Sequence, residues 1–291
     1  VAELPCSVLS RQIGEPLAGT TAVAPAWLCV EQPGPWGREA LTESHLDDRL
    51  AQELARRADD SGVRITLIRR PGKHPDRHRR QPRQVFVAHT RPGTSWLEKV
   101  MITDSKQLLD LDLRAIAAGV RPGLGALSSE QLLMVCTNSR RDMCCALHGR
   151  PIVAALQDLS VWECSHTGGH RFAPTGVLLP TGYCYGRMDV ELGRRLLSDP
   201  DVITDRCRGR STWEPAGQVA ELAVRELAGV RDLDALSVGP EREQQVQVSH
   251  VDGRRWTVTV VERTGTVLRA PKCGAEPVLP VSIEAVSIAT S

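Results

Sequence analysis

Four short strand-like segments, Ala26 to Val30, Val63 to Ile68, Gln84 to His89 and Gln131 to Val135, constrain this chain's fold more than any other feature. Each has the length of a single strand, and their apolar residues suit strands with both faces covered. Between the first two, Ser44 to Ala58 reads as a helix with Ser44 as its N-cap. Leu46, Leu50 and Leu54 recur at every fourth position with Arg and Asp between them, so one face of this helix is ready to lie on a sheet. Strands alternating with helices give an α/β fold. Pro122 and two glycines in Arg121-Pro-Gly-Leu-Gly125 break the periodicity and divide the chain into units 1–125 and 126–291.

The second unit opens with the strand ending at Cys136. Pro151 to Leu156 reads as a helix starting at its proline, Ser160 to Glu163 as a strand, and Val177 to Leu179 with Tyr183 to Arg187 as a hairpin around Pro180-Thr-Gly182. Strand, helix, strand, hairpin is a thioredoxin-like order. Gln218 to Leu227 reads as a later helix, and Asp252-Gly253 between Val246 to His250 and Trp256 to Val261 marks a C-terminal hairpin. The expected architecture is α/β, with two thioredoxin-like units followed by a C-terminal helix and β-hairpin. Pro71 to Arg83, with three prolines and clustered charge, must be an exposed loop. It is either a solvated basic segment or a docking patch for an acidic redox partner or a phosphate.

Lys and Arg total 36 against 35 acidic residues, so no global charge draws the chain to nucleic acid or to a membrane. There is no apolar run of about 18 residues and no basic-then-apolar start, and the expected compartment is the cytoplasm. Nine cysteines, an odd number at irregular spacing, argue for reduced thiols rather than a disulfide framework.

Cys136 and Cys145 bracket a loop leaving one strand end, and His166-Thr-Gly-Gly-His170 follows the next strand. In a parallel βαβ unit those strand ends lie together, which gathers two thiols and two imidazoles in one place. Both ligand types suit iron or zinc. Structural zinc with two cysteines and two histidines normally spaces its cysteines more closely and presents its histidines from a helix; here eight residues separate the cysteines and glycines separate the histidines. A Rieske centre takes one Cys and one His from each loop, which this order does not allow.

At these residues the chain resembles the sucrase/ferredoxin-like proteins, relatives of thioredoxin-like ferredoxins in which histidines replace two cluster cysteines. The resemblance runs nearly end to end. It includes Cys6-Ser7, Gly14-Glu-Pro-Leu-Ala-Gly-Thr20, Trp27-Leu28, Glu31-Gln-Pro-Gly-Pro-Trp-Gly37, Arg141-Asp142, Cys144-Cys145 and Gly149-Arg-Pro151. Its most specific stretch is Glu163-Cys-Ser-His-Thr-Gly-Gly-His-Arg-Phe-Ala173, followed by Leu179-Pro180 and Tyr185-Gly186. The resemblance implies a thioredoxin-like ferredoxin unit carrying a 2Fe-2S cluster for one-electron transfer. It aligns the ligands with Cys136, Cys145, His166 and His170, Cys145 being preferred to its neighbour Cys144.

No Gly-rich dinucleotide fingerprint follows a strand, so a flavin- or NADPH-dependent reductase would be a partner protein, and the chain reads as a carrier rather than a stand-alone enzyme. Two rivals stay open: a zinc-stabilised binding module, and a thiol oxidoreductase using Cys144 and Cys145. Cys164 is either a buried strand thiol or a substitute ligand. Cys29, Cys184, Cys207 and Cys273 are expected to be structural, and Cys6 alone of the outlying thiols is expected to approach the site. Arg140, Arg141 and Arg171 flank the expected ligands and are candidates for tuning their charge.

Overall fold

The computed structural model describes residues 4–72 and 82–290. Residues 73–81, most of the expected basic loop, lie outside the described residues. Arg83 at its end is not free to dock, because its guanidinium donates to the Glu31 carbonyl (2.9 Å) and to Gln32 Oε1 (2.6 Å).

After a short helix α1 (Cys6–Gln12), the first unit runs β1 (Ala26–Glu31), α2 (Asp48–Ala58), β2 (Val63–Arg69), β3 (Arg83–His89), β4 (Trp96–Ile102) and α3 (Leu113–Ala117), and β5 (Ala126–Leu127), just past the boundary expected at residue 125, pairs back onto β4. Strands β1 and β2 are parallel neighbours, β3 pairs antiparallel with β1, and β4 with β3. Leu50, Ala51 and Leu54 of α2 are buried against them, each leucine contributing about 1.5–3 kcal/mol of apolar burial. The helix starts later than Ser44. Asp47 caps it by accepting from the Leu50 amide (2.9 Å), while the Ser44 hydroxyl accepts from the Leu46 amide in a local turn ahead of it.

The second unit repeats the pattern with β6 (Leu132–Cys136), α4 (Met143–Ala155), β7 (Val161–Cys164), β8 (Gly176–Leu179), β9 (Tyr183–Tyr185), α5 (Val190–Ser198), β10 (Cys207–Arg210) and α6 (Pro215–Ala228). The expected hairpin is β8 and β9. Helix α4 does not begin at Pro151. Asp142 caps it nine residues earlier, its Oδ1 accepting from the Cys144 amide, and Pro151 lies in the helix interior. The amide it lacks would have bonded the carbonyl of Leu147, a residue on the exposed side of the helix.

Both units have one strand order, β2-β1-β3-β4 in the first and β7-β6-β8-β9 in the second. They join edge to edge through the antiparallel pair β2–β7, in register Ile68↔Cys164 and Arg69↔Glu163, within a ten-stranded sheet ordered β10-β9-β8-β6-β7-β2-β1-β3-β4-β5. The α/β class read from the sequence is the class observed. Beyond α6 come β11 (Leu236–Val238), β12 (Gln245–His250), β13 (Arg255–Thr264) and β14 (Val281–Thr290), a separate antiparallel sheet. The expected hairpin is its β12 and β13, and β11 and β14 extend it on either side. Helix α6 lays Ala216, Val219, Ala220 and Val224 on its apolar face. No described helix is long and apolar enough to cross a membrane.

Candidate metal centre

The site is built where β6 and β7 end side by side, with Cys136 opposite Cys164. The chain leaving β6 is turned by Asn138, whose Oδ1 accepts from the Arg140 amide (3.1 Å) and whose Nδ2 donates to the Gly37 carbonyl (3.1 Å). It then enters α4, where Cys144 and Cys145 are consecutive. Neighbouring helical residues point about 100° apart, so the two thiols serve different surroundings. Cys145 turns to Cys136 and His166, the three donor atoms lying within 4.8 Å of one another, whereas Cys144 turns to Cys6 and Cys273.

The histidine loop is tied mostly to elements distant in sequence. The Ser165 hydroxyl accepts from the Leu67 amide (3.0 Å) and bonds Thr66 Oγ1 (2.8 Å). Arg64 donates to the His166 carbonyl (3.0 Å), and Thr167 bonds Thr175 (3.1 Å). Gly168 and Gly169 follow with φ of 90° and 70°, left-handed backbone that glycine adopts freely. The fully buried Arg208 donates to the Gly168 carbonyl (3.0 Å), to Thr20 Oγ1 (3.0 Å) and to the Thr20 carbonyl, and its guanidinium sits where a Cβ on Gly169 would be. This bend brings the His170 ring onto that of His166, centroids 4.8 Å apart at 27°. His170 stands just outside the set formed by Cys136, Cys145 and His166. The Nδ1 atoms of both histidines are buried without a hydrogen-bond partner, an arrangement that costs stability unless something fills it.

Hydrogen bonds from Cys145 and His166 outweigh burial and hold the Cys136 thiol well below its ordinary range, while the same bond to Cys136, with burial, pushes Cys145 up. Burial, aided by the neighbouring His166, brings His170 down to about 4, so at neutral pH its imidazole is uncharged and able to ligate. Burial pushes Cys164 up, and its side chain stays in the apolar core with Cys29, Trp162 and Met134.

The cations expected beside the ligands are occupied elsewhere: Arg141 pairs with Glu39, Arg171 with Glu15 (2.7 Å), and Arg140 is exposed. Arg64 and Arg208 hold the histidine loop instead. Their only sequence signal is a charged residue in a buried strand. Among the described residues Asp142 pairs with no arginine, accepting instead from the amides of Cys144 (2.9 Å) and Cys273 (3.0 Å). Cys273, expected to stand apart, meets Cys6 and Cys144 because the segment between β13 and β14 folds back over α1. A group of thiols with an imidazole, buried and closely spaced, has the donor chemistry to hold a metal ion.

Neither a curated protein nor a solved structure matches the chain. A family model described as sucrase/ferredoxin-like matches residues 17–209, which takes in most of both units and the whole Cys136–His170 site but leaves out Cys6 and the second sheet. The chain therefore belongs to the sucrase/ferredoxin-like family.

Proposed function

We propose that this protein transfers single electrons through a 2Fe-2S cluster held by Cys136, Cys145, His166 and His170, between a flavin- or NADPH-dependent reductase and an acceptor protein. The observation that carries this reading is the meeting of Cys136, Cys145 and His166 with a second imidazole stacked alongside, both Nδ1 atoms buried and unpartnered. When bound, the cluster would supply a one-electron couple. The two cysteines are fully buried and keep water from one side, while His166 and His170 are half-buried and form the side nearest solvent, where a partner protein can approach. Each ligating imidazole keeps one ring nitrogen that can take a proton as the site gains an electron. Arg64 and Arg208 hold the backbone between the histidines, fixing both rings before any metal arrives.

Protein purified without oxygen should carry two iron and two acid-labile sulfide per chain and be red-brown. Cys145→Ala and His170→Ala should lose that colour, and Cys164→Ala should keep it. The reduction potential should fall with rising pH, approaching roughly 59 mV per unit where one proton accompanies one electron. Colourless protein containing zinc at these residues would overturn the reading in favour of a zinc-stabilised module.

A further inference from the structure

We propose that Cys6, Cys144, Cys273 and Asp142 form a second metal site, a tetrahedral zinc site that pins the N-terminal helix and the β13–β14 segment onto the start of α4. The inference does not depend on what occupies the first site. The three sulfurs form a nearly equilateral triangle, with Cys6 to Cys144 at 3.8 Å, Cys144 to Cys273 at 3.4 Å and Cys273 to Cys6 at 3.6 Å, and Asp142 Oδ2 lies 3.5 Å from the Cys6 sulfur. All four donor atoms fall within 4.8 Å of one another. A zinc ion bound at about 2.3 Å to sulfur and about 2.0 Å to oxygen keeps tetrahedral donors about 3.8 Å apart between sulfurs and about 3.5 Å between sulfur and oxygen. The sulfur–sulfur edges of 3.4–3.8 Å lie at or slightly below the first value, and the Asp142–Cys6 edge of 3.5 Å equals the second.

Simple packing accounts poorly for this cluster. Thiols in contact as apolar filler have comparable spacing, and Asp142, only 4% exposed, is partly accounted for by capping α4 through Oδ1, but packing and capping do not call for its Oδ2 to face three converging sulfurs. A disulfide is a poor account as well, since no two of the sulfurs are at bonding distance and any pair would leave the third thiol over. The donors come from three segments far apart in sequence, and two of them, Cys6 and Cys273, lie outside the stretch the family model covers. Asp142 is oriented by the Cys144 and Cys273 amides, and the Cys144 thiol lies in the first turn of α4, where the helix N-terminus favours a thiolate. A second tie holds the same segments together nearby: Arg269 donates to both Glu15 carboxylate oxygens (2.6 and 3.0 Å), and Arg171 reaches the same carboxylate. Cys273 is the one partly exposed donor, which leaves a way in for the ion.

The test is metal analysis and zinc-edge X-ray absorption on the full chain, loaded with Zn2+ and freed of excess. The expected result is one zinc per chain with a shell of three sulfurs and one oxygen. Cys273→Ser should weaken zinc binding more than about 100-fold, beyond what an outer-shell partner gives, and leave metal at Cys136 and Cys145 in place. Cys145→Ala should do the reverse. The absorption spectrum of the unmodified protein decides the matter even if a variant fails to fold. No retained zinc, a shell of two sulfurs with imidazole nitrogens (zinc at the first site), or a disulfide among Cys6, Cys144 and Cys273 in the alkylated protein would each overturn the proposal.

Discussion

The two units share a strand order and differ in what stands at the ends of their parallel strands. In the second, β6 and β7 end at Cys136 and Cys164, and thiols and imidazoles fill the space beyond. In the first, β1 and β2 end at Glu31 and Arg69, and the equivalent space holds Trp36, whose indole donates to the Gln32 carbonyl (3.0 Å) and whose ring lies under the Arg69 guanidinium (4.2 Å). The topology supplies a meeting point at the strand ends, and the loops decide whether it is packed shut or lined with ligands. The first unit also serves the second. Its edge strand β2 provides Thr66, Leu67 and Arg64 to the histidine loop and Arg69 to Glu163.

That division of labour is broken most severely at Arg69. Its guanidinium donates to Glu163 Oε2 from two nitrogens, at 2.9 and 2.6 Å, and Thr137 donates to the same oxygen (2.7 Å), all away from solvent. Removing the cation from a buried ion pair is strongly destabilising, so Arg69→Met should lower unfolding free energy by about 3–5 kcal/mol in urea titrations. Adding Glu163→Gln should recover part of that loss by removing the buried negative charge. If Arg69→Met stays within about 1 kcal/mol of the original, the first unit does not brace the second through this pair.

A smaller effect distinguishes the loops that follow β2 and β7. Gly72, after β2, has φ of 112°, and a Cβ there would meet nothing within 4 Å among the described residues, so Gly72→Ala meets only backbone strain from them, about 1–3 kcal/mol. Gly169, after β7, has φ of 70°, and a Cβ there would strike the Arg208 guanidinium. Gly169→Ala should therefore cost more than Gly72→Ala in thermal unfolding, and of the two it alone should loosen metal at His166 and His170. Gly168→Ala, with only Ala22 Cβ at 3.9 Å, should resemble Gly72→Ala. Equal losses at all three positions would mean that Arg208 does not set the histidine bend.

Strand and helix periodicity made the α/β class and the hairpins legible in the sequence, and the parallel βαβ rule the approach of Cys136 to the histidine loop, whereas the preference for Cys145 over Cys144 came from the family resemblance and His170 stacks on His166 just outside the group of Cys136, Cys145 and His166. Long-range placement was not legible. Cys273 reads as an isolated thiol since nothing within its own segment reveals that the chain returns to α1. Arg64 reads as an ordinary strand charge, and Arg208 falls in a segment with no sequence reading, until β2 and β10 are seen to flank the histidine loop. The start of α4 was misread because Pro151 is the louder local signal, although Asp142 is the residue that caps. Strand β14 was missed because its apolar residues are half covered and pair with β13 across a register shift near Thr259 and Val260.

The mildest way to sharpen the comparison uses one buried histidine from each unit. His89, at the end of β3, is buried beside Trp96 with its pKa lowered by burial and by the nearby Arg91; His170 is lowered to about 4 by burial and by His166. Each is neutral in the folded chain and takes up a proton on unfolding once the pH is below the unfolded value of about 6.5. The unfolded state then binds more protons, so stability rises with pH through that window and is lost as pH falls from about 6.5 toward the folded values, at most about 1.4 kcal/mol per pH unit for each histidine. In metal-free protein both should contribute to this slope in urea titrations. His89→Gln should remove one share and leave the other, and loading the Cys136–His170 site with metal should steepen the slope and carry the His170 share below about pH 4, because a liganded imidazole or thiolate takes no proton until unfolding releases the metal, while the His89 share stays as it was. A slope unchanged by metal would place His170 in the same class as His89, a core histidine, and would leave the second unit's strand ends as closed as the first's.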